Sequence, residues 1–144
     1  MTMKAKIEKY TPIILSVIVL CVLLYMEFNL AVDVRKTISN ELITMFSIFF
    51  GFISSSLSIL CSMQDKDFIK GMKTTGAYSE IIEYHWKAIF ASSISIVIAF
   101  FSTLSCDWYF LTDFIDEILL SVSIGAFASI LRVVYLFKQT LSFS

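Results

Sequence analysis

Leu42 to Met63 reads LITMFSIFFGFISSSLSILCSM, and Ala88 to Cys106 reads AIFASSISIVIAFFSTLSC. Neither stretch carries a formal charge. Between them lie 24 residues, Gln64 to Lys87 (QDKDFIKGMKTTGAYSEIIEYHWK), with eight charged side chains. At about 1.5 Å of helix rise per residue the first stretch covers roughly 33 Å, enough to cross a hydrocarbon core of about 30 Å. Two apolar spans joined by a charged segment predict a membrane hairpin whose loop faces one compartment.

Working outward, two further apolar runs flank this pair, Thr11 to Val32 and Ile115 to Phe137. The 144 residues are 58% apolar, with a mean hydropathy of +0.83. Soluble domains hold about 45–50% apolar residues, spread periodically rather than in runs. The expectation is an all-α integral membrane protein with one transmembrane domain over residues 1–144. Its spans fall at about 11–32, 42–63, 88–106 and 115–137, with a short cytoplasmic helical hairpin between spans two and three. The apolar core of span one exceeds the 7–15 residues of a secretory leader, and no small-residue cleavage pattern follows it, so it reads as a retained span.

Charge placement orients the spans. Lys4, Lys6, Lys9, Lys66, Lys70, Lys73, Lys87, Arg132 and Lys138 belong to one side, against Arg35 and Lys36 on the other. Nine basic residues against two follow the positive-inside rule, which puts both termini and the hairpin in the cytoplasm. The net charge of −1 and the missing basic stripe argue against direct nucleic-acid binding.

Within this frame Asp33 to Glu41 reads as an outer loop, with Ser39 or Asn40 capping span two. Pro12 falls in the first turn of span one, and the surface of that span suits lipid contact. On span two, Ser47, Gly51, Ser55, Ser58 and Ser62 recur at intervals of three and four, leaving Phe46, Phe49, Phe50 and Phe52 for lipid. Ser92, Ser95, Ala99 and Ser102 repeat the pattern on span three, and Ser121-x-x-x-Gly125-x-x-x-Ser129 on span four. Membrane helices associate through such small-residue faces, so a homo-oligomer is expected with Gly51, Ser55, Ser58, Ser121, Gly125 and Ser129 as packing positions. The same hydroxyls are the candidate lining of a pore.

Four ionisable residues fall inside or at the ends of spans, Glu27, Asp116, Glu117 and Arg132. Such residues are costly in lipid and mark functional or paired positions. Arg132 can snorkel, pair with a hairpin carboxylate or line a pore mouth. In the hairpin four lysines balance Asp65, Asp67, Glu80 and Glu83, which favours protein docking over lipid binding. Gly76 is the expected stop of its first helix. The docking candidates are Lys66, Lys70, Lys73, Tyr78, Glu80, Glu83, Tyr84 and His85. His85 is the only histidine, read as a hydrogen-bonding residue at the interface with pH sensing as the sharper option. Trp108, Tyr109 and Phe110 form an outer aromatic anchor. Cys21, Cys61 and Cys106 sit at different depths and read as unpaired packing residues.

Four short spans, cytoplasmic termini and the segment DKDFIKGMKTTGAYSEIIEYHWKAI resemble small membrane proteins of bacterial anti-phage defence, such as the membrane subunit of the Kiwa system or the lambda exclusion protein RexB. The first resemblance implies an oligomeric membrane sensor working with a cytosolic effector protein. The second implies an ion-conducting pore that depolarises the infected cell. A hairpin with as many acids as lysines departs from RexB. With no nucleophile–base pair, metal cluster or phosphate-binding glycine loop, no enzymatic activity, metal or cofactor is expected. The reading is a homo-oligomeric sensor or scaffold in the bilayer, with a pore as the alternative.

Overall fold

A computed structural model describes residues 3–26, 30–104 and 112–141, with side chains outside 3–9, 68, 112–113 and 139–141. Five helices follow in order: α1 (Met3–Tyr25), α2 (Val32–Ser62), α3 (Asp67–Thr75), α4 (Ala77–Leu104) and α5 (Thr112–Leu141). The protein is all-α across these residues. Three helices, α2, α4 and α5, are long and apolar enough to cross a membrane, while the apolar run of α1, Tyr10–Tyr25, is shorter.

The helix boundaries depart from the sequence reading at two places. Span one does not run to Val32, because α1 ends at Tyr25 and Val32 is the first residue of α2. Asp33 to Glu41 is therefore helix rather than loop, and neither Ser39 nor Asn40 is a cap; the N-cap is Ala31, without a side-chain bond. Arg35 and Ser39 are buried against neighbouring helices, and that packing draws the helix outward past the charged residues. Pro12 lies inside α1, not in its first turn. Gly76 does end α3, at φ 77° and ψ −5°, the left-handed region that spares a residue without Cβ. Glu27, Cys106, Trp108, Tyr109 and Phe110 lie outside the described residues.

Pairwise contacts give the arrangement. α2 runs antiparallel to α4, with Ser39 opposite Ser102 and Ser56 opposite His85. α4 packs on α5, α5 packs on α1, and α2 lies parallel to α5. α5 is thus the shared neighbour of the three other long helices. The core joins Phe46 and Ile53 of α2, Tyr84 and Ala88 of α4, and Ala126, Ile130 and Val133 of α5. A second cluster seats Ile69 and Met72 of α3 against Leu60 and Ile81.

The small-residue faces divide. On α4, Ser92, Ser95, Ala99 and Ser102 are buried as anticipated. On α2 Phe50 and Phe52 are exposed as expected, but Phe46 is wholly buried, and Ser47, Gly51, Ser55, Ser58 and Ser62 point outward rather than into the bundle. Cys21 and Cys61 are also exposed rather than packed. On α5 the series is used within the chain. A Cβ built on Gly125 would stand 2.9 Å from the Ser16 Cβ and 3.3 Å from the Pro12 carbonyl oxygen. The Ser16 hydroxyl donates to the Ser121 carbonyl at 2.9 Å. Ser16, a small residue in the apolar run of a helix otherwise suited to lipid, is where α1 docks.

Gly125→Leu is therefore expected to push α1 off α5 and cost about 1–3 kcal/mol, as overpacking does. Unfolding in detergent, read as a lowered midpoint with Gly125→Ala in between, checks this. An unchanged midpoint would remove the close approach at Ser16.

Candidate functional site

The side-chain to side-chain hydrogen bonds that join one long helix to another gather at two ends of the bundle. At the first, Arg35 of α2 meets Asp116 of α5: Nε donates to Oδ1 at 2.6 Å and Nη2 to Oδ2 at 2.7 Å. The two side chains are 5% and 0% exposed. A guanidinium forks onto a carboxylate in this two-point fashion more strongly than any neutral pair. The Leu30 amide adds a third donor to Oδ2 at 3.0 Å, holding the approach to α2 against α5. One turn along, the Ser39 hydroxyl donates to that of Ser102 at 3.2 Å. A polar layer thus ties α2, α4 and α5 together.

Glu117 adjoins this layer and is also buried, but its Oε2 has no hydrogen-bond partner. The hydroxyls of Ser92 and Ser123 are buried without partners too. Each such group forfeits the water bonds it had when unfolded. Among the described residues no set of three or more His, Cys, Asp or Glu side chains comes together to hold a metal.

At the other end Arg132 of α5 donates from Nη2 to the Tyr84 hydroxyl at 2.7 Å. Its guanidinium carbon lies 4.3 Å from the centroid of the same ring. Of the options read from sequence, pairing with a hairpin carboxylate is replaced by a phenol, because Tyr84 occupies the inward face of α4. His85, its neighbour, is buried between helices. The Ile81 carbonyl can only accept, so the 2.8 Å contact assigns the proton to Nδ1. Nε2 in a neutral ring then accepts from the Ser56 hydroxyl at 3.3 Å, and Phe137 packs edge-on with centroids 6.3 Å apart.

The docking set is therefore split. Lys66, Lys70, Lys73, Glu80 and Glu83 are exposed, and Tyr78 is half-buried. Tyr84 and His85 are corrected to core residues of α4, because burial removes them from any docking surface. Lys70 pairs with Asp67 at 3.2 Å and Lys87 with Glu83 at 2.8 Å. Arg35 was missed as a site residue because a loop reading gave it no depth. The available signal was that Arg35, shortly before span two, and Asp116, at the start of span four, fall at the same end of two spans that run in the same direction. Comparisons with protein-family models, curated proteins and solved structures found no match.

Arg35→Gln and Asp116→Asn are each expected to cost about 3–5 kcal/mol, since either leaves a buried charge alone. The double variant Arg35→Met, Asp116→Leu is expected to recover much of that loss. Chemical unfolding in detergent decides it. Glu117→Gln, by contrast, is expected to leave stability unchanged or raise it slightly, and a loss as large as that of Asp116→Asn would assign Glu117 a partner.

Proposed function

We propose that the chain crosses the membrane four times, self-associates through the outer face of α2, and acts as a non-enzymatic sensor or scaffold. Its exposed charges on α3 and the start of α4 serve a cytosolic partner. The observation that carries this reading is the unused stripe on α2. Ser47, Gly51, Ser55, Ser58 and Ser62 face outward, and a Cβ built on Gly51 meets nothing within 4 Å. The Ser55 hydroxyl donates to the Gly51 carbonyl at 2.8 Å and Ser58 to Ser54 at 2.9 Å, so the face is satisfied and smooth. Such a face admits another helix at close range.

The alternation of helix directions supports four crossings, with α1 as a thin span lengthened by its basic lead. The Arg132 end collects most of the basic residues. At the opposite end Arg35 is neutralised by Asp116, which leaves Lys36 as the free charge among the described basic residues there. Orientation with the Arg132 end in the cytoplasm follows from that asymmetry. The bacterial inner membrane and a role in anti-phage signalling come from the resemblance in topology. A pore draws on Glu117, which is buried and incompletely bonded; Asp116, bound to Arg35, is withdrawn from a cation-attracting mouth.

In a chain with Cys21, Cys61 and Cys106 replaced by serine, Gly51→Cys and Ser55→Cys are expected to cross-link between copies in native membranes far more than Phe101→Cys on α4. Equal yields at the three positions would sink the α2 interface. Reversing Lys66, Lys70 and Lys73 to glutamate is expected to leave insertion intact while a co-purifying cytosolic protein is lost; retention of that protein would end the docking role.

A further inference from the structure

Arg132 differs from Arg35 and Lys87, the basic residues of α2 and α4 that are met by carboxylates. Arg35 has Asp116 and Lys87 has Glu83. Arg132 has no carboxylate within ion-pairing distance among the described residues; its hydrogen-bond partner is the Tyr84 hydroxyl. A guanidinium carries five N–H donors in a rigid fork. The Tyr84 ring beneath it holds the fork in one orientation at 4.3 Å. A cation fixed in place, half-buried and lacking a counter-ion is a preorganised anion receptor.

The space beside it has the matching shape. A cleft of about 510 Å³ opens between α1 and α5, lined by Thr11, Pro12, Ala128, Leu131, Arg132 and Tyr135. It combines the guanidinium and two hydroxyl-bearing side chains with an apolar wall, at a volume typical of small-ligand sites. Away from Arg132 the same helical rows continue through Leu15 on α1 and Ile124 on α5, both exposed apolar residues. A soluble anion would use the guanidinium and leave this apolar surface bare. A phospholipid uses both.

We infer that Arg132 and this cleft form a phosphate-binding site for an anionic phospholipid, with the acyl chains lying along the seam between α1 and α5. The inference rests on the membrane-spanning reading above. Basic pockets between membrane helices at the cytoplasmic face bind acidic headgroups in this manner. Tyr84 positions the guanidinium, and Arg132 makes the contact. Occupancy would also brace α1, whose packing partner is α5, by adding contacts to both helices at the end away from the Ser16–Ser121 bond.

The test titrates the full chain in neutral detergent with phosphatidylglycerol, phosphatidylcholine or inorganic phosphate, reading the unfolding midpoint and, by native mass spectrometry, the number of lipids retained. Phosphatidylglycerol is expected to raise the midpoint and to be retained, while the other two do neither at equal concentration. Arg132→Gln is expected to weaken half-saturation by about fivefold or more, the worth of one basic contact near a membrane surface. Ala128→Phe, which fills the cleft and leaves the guanidinium in place, is expected to do the same and carries the test if Arg132→Gln fails to fold. Lys70→Gln removes an exposed charge elsewhere and is expected to titrate as wild type. Wild-type titration by both Arg132→Gln and Ala128→Phe, or an equal response to phosphatidylcholine, would overturn the site. A shift produced by inorganic phosphate alone would reassign it to a soluble anion and overturn the lipid. Extraction of the chain from membranes by alkaline carbonate, scored separately, would instead remove the spanning reading.

Discussion

The buried pair between Arg35 and Asp116 constrains more of this structure than any other contact. Two opposite charges withdrawn from water are tolerable only when each satisfies the other, which demands the two-point geometry seen here. Meeting that demand fixes the rotation of α2 about its axis. Once Arg35 points at α5, Ser39, Phe46, Ile53, Leu57 and Leu60 follow at intervals of three, four and seven on the same inward face. The stripe from Ser47 to Ser62 is turned outward by the same rotation. An outward small-residue face is thus the geometric complement of an inward arginine.

α5 is where the polar demands converge. It supplies Asp116 and Glu117 at one end, Ser121 and Gly125 to receive α1, and Arg132 at the other end. Between the ends, α4 presents small residues to the bulky face of α2, and the register set by Ser39–Ser102 brings Phe46 level with Ser95. A large side chain against a small one lets two helix backbones approach without voids. The unpartnered oxygens of Glu117, Ser92 and Ser123 are buried in the same interior and weigh against it.

The long apolar helices were legible because uncharged runs of about 20 residues have few other solutions. What faces what within them was not. In lipid both sides of a helix are apolar, so the contrast that orients a helix in water is lost, and Phe46 and Ser47 compete for the core without a signal from either. Arg35 illustrates the second difficulty. Charge density near a span end reads as loop, yet a charge whose partner is far away in the chain extends the helix instead. Tyr84 and His85 illustrate a third, since aromatic and imidazole groups near an interface serve docking and core equally well. The stop at Gly76 was readable because its cause is local: the left-handed turn needs no knowledge of the remainder of the fold.

α5 is also the last of the five helices in chain order, and this sets an order for assembly of the bundle. When α1 and α2 have been made, Ser16 has no seat, because Gly125 and the Ser121 carbonyl do not yet exist, and the carboxylate that meets the Arg35 charge is still missing. Arrival of Asp116 neutralises that charge, and the following turns of α5 then capture α1 by the small-residue seam. Closure of the bundle therefore waits on α5, and a product cut short before residue 116 keeps Arg35 without the carboxylate that buries it.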